Sequence, residues 1–452
     1  MSIRNRIIEL SILILASSVL LAAPPRDVTE HVNVMIGTGG HGHTYPGATV
    51  PFGMVQLSPD TFNEGWDWCS GYHYSDSSIM GFSHTHLSGT GVGDMLDVLL
   101  MPGTGPDRLV PGTRAKPEEG YRSRFSHADE IARPGYYSVL LKDYQIKAEL
   151  TATERAGIHR YTFPQSTSSH FIVDFAHGYA AGPNQGPRIP EAQIKIVGGD
   201  TITGGRRVAM WANGRHVYFA MRFSKPFKAA ELVSAVKVLD ASVRETSGRS
   251  LKALVHYDTA AGETILVKVG ISGVSVEGAL RNLEKEIPAW DFEGVRSAAH
   301  SAWQRELSKI TVESSNRKQL EIFYTGLYHT MLAPTLFDDA DGQYRGMDDQ
   351  IHRSPEGLHN YGTFSLWDTY RANHPLFTLT QRNRVPDLVS CLIRMAEESP
   401  AGMPVWPLAG RETGCMTGYH SVPVIAEAAV KGFPGIDLAR VYPLIRKRAI
   451  RE

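Results

Sequence analysis

Cysteine is scarce in this chain. Three occur in 452 residues, Cys69, Cys391 and Cys415. They cannot build a disulfide framework; at most one bridge could form, and the sequence does not choose the pair. An excess of one charge is also lacking, with 46 Lys and Arg against 47 Asp and Glu and a formal net charge of −1. No global basic field is present to hold nucleic acid or an anionic membrane. The G-x-S-x-G elbow, the Walker A loop and a credible dinucleotide fingerprint are all missing, so serine hydrolase, NTPase and Rossmann readings lose their usual support. Internal repeats and low-complexity segments are missing too. Past the N-terminus no run is long and apolar enough to span a bilayer.

What is present is a soluble globular composition, 42% hydrophobic and 21% charged. The length predicts two or three domains. The first residues read as a secretory signal over 1–23. Arg4 and Arg6 form a basic start, Leu10 to Ala23 is uncharged and apolar, and Ala22-Ala23-Pro24 offers a cleavage point. The apolar run is shorter than the ~20 residues of a membrane span, so a cleaved signal is favoured over a retained anchor. The protein is expected to be exported, periplasmic or secreted, with no stable membrane anchor after cleavage.

Residues 28–272 read as β. Tyr136–Leu141, Tyr144–Ala152, His170–Phe175, Gln193–Val197, His216–Phe223 and Thr264–Val269 carry strand patterns. The Gly pairs at 198–199 and 204–205 are expected to punctuate hairpins. Many short strands between turns predict an antiparallel β-sandwich. After about residue 275 the period becomes helical. Residues 275–312 read as a helical linker and 313–452 as the first part of a helical domain, with no strand series among its helices. The chain is too short there to complete a closed barrel of paired helices.

Three N-terminal runs concentrate His, aromatics and Gly: His41–Gly47, Trp66–Tyr74 and Phe82–Gly91. Aromatic faces suit the C–H face of a sugar ring, and His and Ser can hydrogen-bond its hydroxyls. The pairs His41/His43 and His84/His86 also admit a zinc-dependent hydrolase, although zinc would need a third ligand and an open position. The alternative is that these His donate hydrogen bonds within a Gly-rich loop network. Further on, Gly362–Arg371 places Trp367, Asp368 and Arg371 within one or two helical turns, where Asp368 and Arg371 could simply form an i,i+3 ion pair. Glu412 could be a general acid, a ligand for substrate hydroxyls or a helix-terminal charge. His420 could cap the helix that follows it.

The runs His41–Ala48, Pro51–Asp60, Cys69–Tyr74 and Gly81–Gly91 resemble the N-terminal domain of glycoside hydrolase family 92. Ser365–Thr369, Glu412–Met416 and Gly418–His420 resemble the start of its catalytic domain. The resemblance implies an exported, calcium-dependent, inverting exo-α-mannosidase, commonly α-1,2-specific, acting on mannose-containing oligosaccharides of N-glycan or mannan type. It implies a β-sandwich followed by an (α/α)6 barrel, here incomplete, with the site between them. Trp66 and His86 would contact substrate from the sandwich, and Trp367, Asp368, Arg371, Glu412 and His420 from the barrel. The family's acid, base and main calcium carboxylates are expected beyond residue 452, so no catalytic or metal residue is assigned here. A non-catalytic carbohydrate-binding remnant is the alternative. Trp68 stands where the family has a small residue, and Arg411 where Asn is more usual.

Overall fold

The computed structural model describes residues 26–182 and 185–450, so the signal segment lies outside the described residues. Among them, no helix is long and apolar enough to cross a membrane. The N-terminal part is all β, built on two large antiparallel sheets. One sheet orders seven strands as Ser58–Asp60, Gly81–Ser83, Leu99–Thr104, Ser166–Asp174, Leu251–Thr259, Ala229–Ser234 and Lys237–Val238. The other runs through nine, from Glu245–Gly248 to Glu130–Arg133, with Arg215–Phe223 beside Glu263–Ser272 near its centre.

Alternation in the sequence explains the faces. In Glu191–Val197, Ala192, Ile194 and Ile196 are buried, while Glu191, Gln193 and Lys195 face out. Between the sheets, Phe171 of one meets Tyr161 and Phe223 of the other at 5.2 and 5.3 Å, and Phe175 meets Phe219 at 4.8 Å. These edge-on contacts join the two layers through one aromatic core.

One expected hairpin is corrected. Gly198 and Gly199 do turn the chain between two paired strands, but Gly204 and Gly205 lie inside the strand Thr201–Val208. Their function is space: a Cβ on Gly204 would sit 2.7 Å from the Phe219 ring and one on Gly205 2.5 Å from Tyr218. The facing strand carries its aromatics there because the glycines leave room for them.

The rest is mainly helical. Val276–Glu286 and Phe292–Leu307 cover the outer face of the nine-stranded sheet, where Leu283, Ile287 and Phe292 pack on Tyr136, Ala156 and Ile158. The helices Arg317–His329, Asn373–Thr380, Val385–Glu398, Ser421–Val430 and Leu438–Ala449 follow. Two small isolated ribbons also form among the helices: Gln343–Arg345 with Ile351–Arg353, and Pro407–Leu408 with Arg411–Glu412.

The two parts interlock. The Phe52 amide donates to Met331 O and its carbonyl accepts from Leu336 N–H, both at 2.8 Å. The buried Trp303 donates its indole N–H to Thr49 O at 2.7 Å. Arg155 reaches Asp338 at 2.6 Å and Glu286 at 3.0 Å, both through its guanidinium.

Candidate functional site

A ledge of loops stands on the sandwich, and its most exposed large hydrophobic residue is Trp66, at 54%. It opens the short 3-10 turn Trp66–Trp68. His41 lies 4.9 Å from the Trp66 ring, and His43 meets it edge-on at 4.5 Å. Gly91 closes the other edge, where a Cβ would come within 3.1 Å of the indole nitrogen. His41 Nδ1 sits 2.6 Å from Asp67 Oδ1. That hydrogen bond is the foremost cause holding the Asp67 carboxyl below its usual range. His43 is buried, gives Nδ1–H to Thr90 O at 2.8 Å and leaves Nε2 without a hydrogen-bond partner among the described residues, 3.9 Å from Asp67. An open indole face beside a charged, oriented carboxylate offers apolar area and hydroxyl acceptors together.

The ledge is rigidly founded. The loop behind Gly91 is fixed by Asp94 and Asp97. Asp97 pairs with Arg215 at 2.7 Å and with Arg206, and Asp94 accepts from Arg215 at 3.0 Å. Burial alone would push the Asp97 carboxyl up, yet the two guanidiniums hold it well below the carboxylate range. Met95, Leu96 and Val98 in this loop carry φ of 67, 60 and 60°. Such strain at side-chain-bearing residues persists only where the surroundings over-determine it.

His86 belongs to this foundation and not to the open surface. It is buried, with Nδ1 2.7 Å from Gln56 O and Nε2 2.8 Å from Asp60 Oδ1. Both ring nitrogens are engaged, so neither is left for a ligand. Asp60 also accepts from His177 at 2.7 Å. His84 joins another network, with Nδ1 on Val98 O and Nε2 on His159, at 2.7 and 2.9 Å. The two His-x-His pairs therefore enter separate hydrogen-bond systems. Among the described residues no three His, Cys, Asp or Glu side chains are placed to hold a metal ion. All three Cys are free.

The helical part carries a second surface. The helix at Leu366 is one turn, Leu366–Thr369, and leaves Trp367 at 43% exposure. The Asp368–Arg371 ion pair does not form. Arg371 lies beyond the turn and donates Nε–H to the Tyr370 hydroxyl at 2.6 Å, while Asp368 accepts from the Ser365 hydroxyl. His420 occupies the cap position of Ser421–Val430 without a side-chain capping bond, and its ring stacks on Tyr370 at 4.2 Å and 5°. The sequence spacing of fifty residues hides that stack.

Glu412 is fully used. Its carboxylate accepts from the amides of Val405, Trp406 and Gly414 at 2.9, 3.0 and 2.8 Å. It pins the loop that carries Trp406. That loop joins the two surfaces: Trp406 and Leu408 pack with Leu87 and Ala212 of the sandwich, and Trp406 meets Trp211 at 4.4 Å. Arg411 adds a bond to Gly214 O at 2.8 Å. Phe364 N–H donates to Pro407 O at 3.1 Å, so the Trp367 turn hangs from the same loop.

Sequence reasoning singled out Trp66, Trp367 and Asp368, which are exposed or edge-lying, but not Asp67 and His41 as a pair. The signal for that pair was Asp67 standing beside Trp66 in the run. A cavity of about 790 Å³ lies elsewhere at the junction, among Arg155, Asp338, Asp339, Arg353 and His359. Its lining holds no Trp, Tyr or Phe.

A β domain clasped to a helical domain, with open tryptophans beside polar groups, is a build that suits carbohydrate. Residues 31–272 match the glycosyl hydrolase family 92 N-terminal domain and 278–452 its catalytic domain. The chain belongs to glycoside hydrolase family 92. It is 41% identical to a family 92 α-mannosidase from Bacteroides thetaiotaomicron, with a TM-score of 0.90 over 94% of this chain and 57% of that one. The same enzyme has been solved with mannoimidazole. An inverting mannosidase of the family from the same bacterium is 27% identical, with a TM-score of 0.82 over 95% of this chain and 56% of that one. A curated relative, an uncharacterized secreted glycosidase of Arthroderma benhamiae, is 28% identical over 68% of this chain and 42% of its own length. The chain thus spans little more than half of these solved structures.

Proposed function

We propose that this chain supplies the sugar-holding surface of an exported exo-α-mannosidase that removes terminal α-1,2-linked mannose, with inversion, from N-glycan or mannan oligosaccharides. The observation that carries the reading is the half-exposed Trp66 ring beside the His41–Asp67 pair. The likeness to α-mannosidases, one of them solved with mannoimidazole, supports it. The secreted relative supports export to the periplasm or medium.

Trp66 takes the apolar face of a mannose ring, and Asp67 accepts from its hydroxyls. Trp367 and Asp368 offer the same pair of chemistries from the helical side. Inversion requires an acid on the leaving oxygen and a base on a water, ~6.5–9.5 Å apart. Neither role is given to a residue of this chain. Calcium, implied by the family resemblance, finds no fitting ligand set among the described residues, so no step is routed through it.

A second reading, sugar binding without hydrolysis, is favoured by Glu412, whose two oxygens are committed to three backbone amides. Calorimetric titration with mannoimidazole and with α-1,2-mannobiose tests the first step: saturable binding is expected, and its absence sinks the reading. Proton NMR of the mannose released then separates the two readings. Appearance of the β-anomer first supports the inverting enzyme, and no release with binding intact supports the binding module.

A further inference from the structure

Beyond Trp66 the same turn carries Trp68, and the structure builds something unusual around it. The Arg114 guanidinium lies 4.4 Å from the Phe62 ring centroid and 4.4 Å from that of Trp68, held against both aromatics. Asp76, nearly buried, accepts from Arg114 Nη1 at 3.1 Å and from the Trp68 indole N–H at 2.7 Å. The two rings and the carboxylate fix the guanidinium plane, yet the Arg114 side chain keeps 41% exposure. Its Nε and Nη2 have no hydrogen-bond partner among the described residues, so two donors of a half-exposed side chain are left for a ligand.

The platform is continuous with the Trp66 ledge. His73 packs on Trp68 at 5.4 Å and reaches Gly40 O at 3.1 Å through Nε2. Gly40 precedes His41, which lies against Trp66 and bonds Asp67. The rim therefore runs unbroken from Trp66 through His41 and His73 to Trp68 and Arg114.

Resting on the saccharide reading of the ledge, we propose that Trp68 and Arg114 form an outer subsite for a neutral sugar residue further along the oligosaccharide than the one on Trp66. The fixed fork of a guanidinium matches two vicinal hydroxyl oxygens, and the indole flank adds apolar area. Asp76 neutralises the guanidinium charge, which favours a polyol over a phosphate or carboxylate. The subsite makes Arg114 a determinant of chain length, selecting longer glycans over disaccharides.

Titration of the chain with α-1,2-mannobiose and with α-1,2-mannotetraose tests this. The tetrasaccharide is expected to bind about tenfold tighter, the worth of a net charge-assisted hydrogen bond. Arg114→Ala should bring the tetrasaccharide down to the affinity of the disaccharide and leave the disaccharide unchanged. Trp68→Ser should act in the same direction, with a thermal melt to confirm folding. Equal affinity for both sugars, or an Arg114→Ala protein that still prefers the longer one, overturns the subsite while leaving the Trp66 reading intact. Tighter binding of a phosphorylated mannose oligosaccharide overturns the choice of a neutral ligand. Failure of either sugar to bind removes the Trp66 reading and the subsite with it.

Discussion

Arg155 of the sandwich donates to the buried carboxylate of Asp338 at 2.6 Å, and the same guanidinium reaches Glu154 and Glu286. Its Nε also donates to Asp338 O at 2.6 Å. One side chain thus ties a strand end, a covering helix and the helical part of the chain together. Burial would raise the Asp338 carboxyl, but His359, Arg155 and the Asn360 amide outweigh it and hold it low.

Removing that guanidinium leaves the buried Asp338 carboxylate with only His359 and the Asn360 amide to offset its burial. Arg155→Met is expected to cost about 3–5 kcal/mol, read from urea denaturation near neutral pH. A loss under about 1 kcal/mol would mean that water already reaches Asp338.

Asp339, next in sequence, behaves in the opposite sense. Burial, assisted by Asp341, pushes its carboxyl up to about 6, against the bonds from Ser272 and Asn282. A raised acid favours the folded state while protonated. That contribution is whole below the ordinary Asp value of about 3.9 and is lost as pH rises through 6. Asp339→Asn should therefore stabilise the fold at pH 7.5 by on the order of 1 kcal/mol and show little gain at pH 4. Equal effects at the two pH values would refute the assignment.

Trp66→Ala removes an open ring and little packing. The melting temperature is expected to move by no more than about 2 °C, while affinity for mannoimidazole falls about 30-fold, the scale of a central aromatic contact. Unchanged affinity in a folded variant would take Trp66 out of the site.

Gly204→Ala tests the space beneath the central strands. The new methyl group would meet the Phe219 ring and the Gln193 carbonyl at 2.7 and 2.8 Å. A loss of about 1–3 kcal/mol is expected, measured by chemical denaturation, with sugar binding retained in the folded fraction.

The regular elements were legible because their periods are local. Tyr136–Leu141 begins and ends where its pattern does, and Val385–Glu398 surrounds the Leu388, Leu392 and Met395 stripe. Gly204 and Gly205 were misread as a turn because a glycine leaving room for a cross-strand aromatic looks the same in sequence as one permitting a bend. His86 looked like a ligand contact because burial of a His is decided by distant partners, here Asp60 and Gln56. Glu412 was left between roles for the same reason: the amides it binds belong to a loop whose shape no local pattern records. Arg114 had no signal at all, since its two aromatic neighbours come from a loop far back in the chain.

The Trp211–Trp406 contact sets an order of events during synthesis. Trp211 is translated well before Trp406, and at ordinary elongation rates the delay is roughly 10–40 s. Through that interval the sandwich face around Leu87 and Ala212 has no cover of its own. A newly made β domain is therefore expected to wait with that apolar patch bare until the helical part is made.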